Sequence, residues 1–204
     1  MEILKVCADP FPPYQYLDSN GQVKGKDYDR IMKKLKTAGY EPIFQIDAWN
    51  KIYKEFEDGN QDVLFQAQDS PERRKKFYLS QLFRYAITEI VTANKDLCNI
   101  TSYNELKNYR VGVIKDYSNG LEIDGLPLSC KIELNNTEEI LNAVCSGKVD
   151  VGVCDQGVKE YLLNKNQNVY PIESLTYKRP LYVMFRNRKH RDDFDAVKEN
   201  EKER

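Results

Sequence analysis

Apolar positions along this chain alternate between short continuous runs and a helical spacing, and the two patterns exchange over most of its length. Residues 2–8 form the first run and predict a buried strand. It ends in Asp9-Pro10-Phe11-Pro12-Pro13-Tyr14, where the prolines exclude both a helix and a central strand, so a stiff aromatic loop is expected. Past the Asn20-Gly21 turn, Tyr28, Ile31, Met32 and Leu35 fall at i, i+3, i+4 and i+7. Asp27 and Asp29 sit in the first turn and Gly39 provides a stop, which predicts an amphipathic helix. Trp49, Ile52, Tyr53 and Phe56 repeat the spacing, Gly59 ends this second helix, and residues 62–65 follow as a strand.

The second half repeats the arrangement. Asn136 with Glu139 reads as a capping box for a helix carrying Ile140, Leu141 and Val144; Gly147 stops it, and residues 150–153 follow as a strand. In each half the helix ends in Gly, two residues intervene, Asp-Val opens an apolar strand, and a polar segment lies just beyond. Runs at 87–93, 109–115 and 181–185 predict further strands. Strands alternating with helices imply parallel α/β sheets, which take ligands beyond the carboxyl ends of their strands. The expected fold class is therefore α/β with two lobes facing a cleft, a parallel-rich sheet in each lobe, and a two-strand hinge near 91–95 and 176–180. The lobes are assigned as 1–92 plus 179–204 and 93–178. The charged tail 190–204, with only Phe194, Ala196 and Val197 as apolar contacts, reads as a weakly docked terminal helix or the start of a linker.

Charge narrows the partners. Thirty-one basic residues against 32 acidic ones leave a net charge of −1, so no overall field draws the chain onto nucleic acid. The basic runs Arg73-Arg74-Lys75-Lys76 and 186–191 read as solvated faces. No run approaches the roughly 20 apolar residues that a membrane helix needs, and Met1 leads straight into the first strand pattern. The expectation is a monomer, periplasmic or extracytoplasmic, whose signal peptide belongs to a precursor. The five cysteines lack C-x-x-C spacing and the single His190 lies far from them, so neither a metal nor a cofactor is expected. Cys7 and Cys154 fall in apolar runs as core residues, and a Cys98–Cys130 disulfide is left open.

Three constellations carry candidate chemistry. In Asp69-Ser70-Pro71-Glu72-Arg73, Ser70 suits an N-cap and Pro71 a first helical position, so the free backbone N–H groups there favour an anion. Arg73 can add a bidentate guanidinium to a carboxylate, or can simply be solvated. In the turn after the 109–115 strand, Tyr117 and Ser118 offer hydroxyl and backbone donors to the same anion, or form an ordinary strand-to-helix loop. Asp155, beyond the 150–154 run, can take an ammonium group or cap the next helix. Phe11, Tyr14 and Trp49 can wall a pocket, although Trp49 also lies on its helix's apolar stripe.

The ordered set Ala8-Asp9-Pro10-Phe11-Pro12-Pro13-Tyr14, Gly25, Asp62-Val63-Leu64-Phe65, Ser70-Pro71-Glu72-Arg73, Val111-Gly112-Val113 and Asp150-Val151-Gly152-Val153-Cys154-Asp155 resembles the family-3 extracellular solute-binding proteins. The resemblance covers essentially the whole chain. It implies a type II periplasmic binding fold and a small zwitterionic ligand such as an amino acid. Arg73 then grips the ligand carboxylate, Asp155 the ammonium, and Phe11 or Tyr14 packs on the side chain. Ser70 stands where the family usually has Thr, which keeps the hydroxyl, and Gln66-Ala67-Gln68 where many members have Ser-Gly, so the two glutamines are expected to reshape specificity; Asp9 and Asp69 would favour a cationic side chain, Gln66 and Gln68 a polar one. The implied role is the solute receptor of an ABC-type importer, partnered by a membrane permease. A ligand-sensing domain leading into a C-terminal signalling module is the alternative. A cyclohexadienyl dehydratase-like enzyme shares the fold but needs a cleft acid that only Asp9 or Asp69 could supply, so no enzyme is expected.

Overall fold

Seven residues, Glu2–Ala8, form strand β1, which is buried on both sides only toward its end: Leu4, Val6 and Ala8 join one core cluster and Cys7 another, while Ile3 is exposed. That two-sided burial explains the unbroken apolar end Val6-Cys7-Ala8, since a strand covered on both faces has no solvent face to mark with polar residues. In this computed structural model, residues 1–115, 117–163 and 168–198 are described. The chain divides into two compact units, Met1–Tyr85 with the segment from Pro180 onward, and Ala86–Arg179.

In the first unit, β1 is followed by the hairpin β2 (Tyr16–Leu17) and β3 (Val23–Lys24), then α1 (Lys26–Thr37), β4 (Tyr40–Ile46), α2 (Trp49–Glu57), β5 (Val63–Gln68), α3 (Pro71–Lys76) and β6 (Tyr78–Leu79). Strand β7 (Arg84–Thr92) carries the chain into the second unit. There β8 (Val111–Ile114), α4 (Leu121–Asp124), β9 (Lys131–Leu134), α5 (Thr137–Cys145), β10 (Val151–Asp155), α6 (Gln156–Leu162) and β11 (Tyr170–Pro171) follow in order. Strand β12 (Tyr177–Phe185) returns the chain to the first unit, which closes with α7 (Arg188–Ala196).

The first unit's sheet runs β4-β1-β5-β12, with β4 and β5 parallel to β1 and β12 antiparallel to β5; β6 pairs β12. The second unit's sheet runs β7-β10-β8-β9, where β8 lies parallel to β10 and β9, while β7 is antiparallel to β10. Each sheet is thus parallel-rich, and the strands that run against it are those in which the chain changes unit. Helix α1 lays Ile31, Met32 and Leu35 on Leu4, Val6, Val63 and Phe65. Helix α2 lays Ile52 and Phe56 on Cys7 and Leu64. In the second unit Ile140, Leu141 and Val144 of α5 pack on Val91 and Cys154.

The structure completes or corrects several of these readings. Strands β4 and β9 were not visible in the pattern. The Asn136 side chain accepts from the Glu139 N–H as expected, but the Glu139 carboxylate accepts from the Asn135 N–H instead of closing a capping box. All five cysteines are free, so Cys98 and Cys130 form no disulfide. The charged tail is a docked helix as far as Ala196: Phe194 is buried in the core and His190 Nε2 lies 2.9 Å from Glu2 Oε1. Residues 199–204 of that tail lie outside the described residues.

The loop after β1 approaches the start of α1 most closely at Gly25. Gly25, the N-cap of α1, has φ 132°, and a Cβ there would stand 2.1 Å from the Tyr14 carbonyl oxygen. That carbonyl takes the place of a capping side chain, accepting the Asp27 and Tyr28 N–H groups at 3.0 and 3.2 Å. Gly25→Ala is expected to cost about 2 to 4 kcal/mol, from left-handed strain and the steric clash together, measured by urea denaturation.

Candidate functional site

The Asp69–Arg73 segment folds as its residue types dictate. Ser70 adopts extended backbone and its Oγ accepts the Arg73 N–H at 3.2 Å, with Pro71 at the first helical position. The half-buried Arg73 guanidinium donates from Nη1 to the Gln68 carbonyl at 2.6 Å, and its Cζ stands 5.4 Å from the ring centroids of both Trp49 and Tyr53. Those rings pack on each other 5.7 Å apart and on the Ile52–Phe56 core. Trp49 is thus part of the core and a platform for the guanidinium. A planar cation fixed in this way past the carboxyl end of β5 suits a carboxylate. Asp69, by contrast, is engaged bidentately by Arg74 at 2.6 Å on each oxygen.

Of the remaining candidates of the first unit, Gln66 and Tyr14 belong to a polar knot, with Phe11 and Asp9 beside it. Phe11 stacks on Tyr14 with centroids 5.6 Å apart, while Arg84 Cζ lies 3.7 Å and Lys26 Nζ 4.6 Å from the Tyr14 ring centroid. Tyr14 is buried, as is Asp9, whose carbonyl accepts from Gln15 Nε2 at 3.0 Å. Gln66 engages Arg84, Asp27 and Gln15 through its amide, and Ala67 is fully buried beside Ile52 and Phe56. The sequence reading did not single out Gln15 or Arg84. Asp27 had been read only as a first-turn acid.

In the second unit Asp155 ends β10, and its Oδ1 accepts the Val158 N–H at 3.1 Å, so the capping alternative is realised. The side chain is buried at the carboxyl end of its strand. Beside it lies a pair that the sequence reading also missed: Lys159 Nζ meets Glu89 Oε2 at 2.5 Å, with side chains only 9% and 4% exposed, and Gln156 Nε2 donates to Glu89 Oε1 at 3.0 Å. Burial, together with the nearby Glu89 charge, pushes the Cys154 thiol well above its ordinary range. A glutamate inside the apolar run 87–93 was the available signal, since a buried acid requires a partner.

The turn after β8 already holds an anion. Ser118 Oγ donates to Asp124 Oδ2 at 2.9 Å and the Asn119 N–H to Oδ1 at 3.0 Å, while the Tyr177 hydroxyl donates to the Asn119 carbonyl. The Tyr117 N–H returns to the Ile114 carbonyl at 3.3 Å. Asp116 lies outside the described residues. Phe11, Trp49, Gln66, Gln68 and Arg73 belong to the first unit, and Tyr117, Ser118 and Asp155 to the second.

The fold is that of the periplasmic binding proteins. An ancestral arginine-binding protein bound to glutamine superposes with a TM-score of 0.79 at 24% identity, covering 96% of this chain and 89% of that one. The arginine-bound form of a truncated ArgBP from T. maritima gives 0.79 at 18% identity, covering 95% and 93%. A histidine kinase sensor domain with similarity to periplasmic binding proteins gives 0.79 at 18% identity, covering 94% and 86%. Residues 4–108, just over half the chain, match the model of the bacterial extracellular solute-binding proteins, family 3, and the chain belongs to that family. A probable histidine-binding protein of Neisseria gonorrhoeae is 24% identical over 154 residues, covering 72% of this chain and 56% of that protein. A probable amino-acid ABC transporter-binding protein of Haemophilus influenzae is 30% identical over 98 residues, covering 48% and 38%. The matched regions therefore span about half or less of these curated relatives, both of which are named as binding proteins.

Lys159→Met is expected to destabilise the fold by about 3 to 5 kcal/mol by stranding the buried Glu89 carboxylate. Adding Glu89→Gln should restore part of that loss, and urea midpoints of the single and double variants measure both effects.

Proposed function

We propose that this chain binds an amino acid, with Arg73 holding the carboxylate and Asp155 the ammonium group, as the extracytoplasmic solute receptor of an ABC-type importer. The observation that carries the reading is the Arg73 guanidinium, tied to the Gln68 carbonyl and set over Trp49 and Tyr53 just past the end of β5. Its rotamers are restricted before any ligand arrives, so less side-chain entropy is lost on binding than for a solvated arginine. Asp155 is fixed in the same sense by its cap bond to Val158. Membership of the solute-binding family and the names of the curated relatives support the ligand class, and the importer role gives the receptor a membrane permease as partner. Holding both charged ends of the ligand requires no chemistry on it, and the reading is of a binder.

Arg73→Ala is expected to weaken amino-acid binding by at least about 30-fold in calorimetry, corresponding to a loss of about 2 kcal/mol or more from one partner of a buried charge pair. Arg73→Lys, which keeps the charge without the fork, should fall between. Affinity of the Ala variant within a few-fold of wild type would overturn the assignment. Asp155→Asn should erode the preference for an amino acid over its des-amino acid, since only the ammonium contact is weakened.

A further inference from the structure

Gln66 is the only residue other than glycine with positive φ among the described residues, at 68°. It sits inside β5 where the register with β12 breaks: Leu64 pairs Met184 and Ala67 pairs Tyr182, so three steps on β5 oppose two on β12. This is a bulge, and a left-handed glutamine within it is strained unless its surroundings over-determine it.

They do. Gln66 Oε1 accepts from Arg84 Nη2 at 2.9 Å, and Nε2 donates to Asp27 Oδ2 at 2.5 Å and Gln15 Oε1 at 2.9 Å. Arg84 also donates from Nε to Asp27 Oδ2 at 2.5 Å and stacks on Tyr14. Gln15 is fully buried and Asp27 is 3% exposed, so these are low-dielectric contacts. The knot ties the loop after β1, the first turn of α1 and the start of β7 to a single residue of β5. Two residues along β5 lies Gln68, whose carbonyl holds the Arg73 guanidinium.

We infer that Arg84 is a positioning residue for ligand recognition: with Asp27 it holds Gln66 in the left-handed bulge, and the bulge sets the Gln68 carbonyl that aims Arg73. Gln66 on this account acts through its backbone. The inference rests on the reading of Arg73 as the carboxylate anchor.

Two sets of variants test it. Arg84→Lys keeps a cation for Asp27 but loses the fork that reaches Gln66. It is expected to speed ligand-free hydrogen exchange of the 66–68 amides by about tenfold or more, leaving β10 unchanged, and to weaken amino-acid binding by about tenfold. Gln66→Ala and Gln66→Gly lose the same side-chain bonds, yet only glycine tolerates positive φ without strain, so the Gly variant should bind several-fold more tightly than the Ala variant. Unchanged 66–68 exchange in Arg84→Lys, wild-type affinity in that variant, or equal losses for Ala and Gly would each overturn the inference. If the wild-type chain binds none of the twenty amino acids, the reading of Arg73 fails instead, and the ligand-free exchange still decides whether Arg84 holds the bulge.

Discussion

A guanidinium buried against a carboxylate organises the first unit. Arg84 and Asp27 meet with side chains only 12% and 4% exposed, and neither would be tolerated there alone, because an isolated buried charge costs several kcal/mol. Once paired, the two groups must be satisfied further, and the surplus donors and acceptors recruit Gln66, Gln15 and the face of Tyr14. The aromatic loop, the capped start of α1 and the bulge in β5 are thereby held by one connected set of bonds. The apolar core beneath them, from Leu4 to Phe185, supplies the bulk of the stability but leaves these orientations unspecified.

The second unit uses the same device with the signs exchanged. Glu89 lies five residues after Arg84 on β7 and is matched by Lys159, which brings the first turn of α6 under control through Gln156 as well. Asp155, at the end of β10, caps that turn. A strand that ends in an acid and passes directly into a helix leaves the carboxylate buried yet hydrogen-bonded, the condition under which a buried acid stays useful for recognising a cation. The turn at Ser118 shows the complementary preference, since its hydroxyl and the following N–H already gather a carboxylate from Asp124.

Much of this was legible from residue types. The helices α1, α2 and α5 follow from apolar spacing and glycine stops, and the Ser70-Pro71 start of α3 from capping chemistry, because all of these are local rules. Strand β4 escaped because Pro42 and the polar alternation of Tyr40–Ile46 argue against a central strand. Among the described residues it is an edge strand paired with β1 alone, where proline is tolerated. Strand β9 is a short charged edge of the same kind. The knot around Gln66 was illegible for another reason: Arg84 and Asp27 are 57 residues apart, and nothing in local spacing marks two charges that will be buried together. Trp49 packs on the core on one side and faces the Arg73 guanidinium on the other.

The proposed receptor role for amino acids rests on the preset Arg73 guanidinium and the buried, capped Asp155. The most direct measurement is a thermal-shift titration of the protein, refolded to strip carried-over ligand, against each of the twenty amino acids. The account predicts saturable stabilisation by one or a few of them, about 2.7 kcal/mol at 100 times the dissociation constant. A cooperative melting transition that none of the twenty moves at millimolar concentration would contradict it.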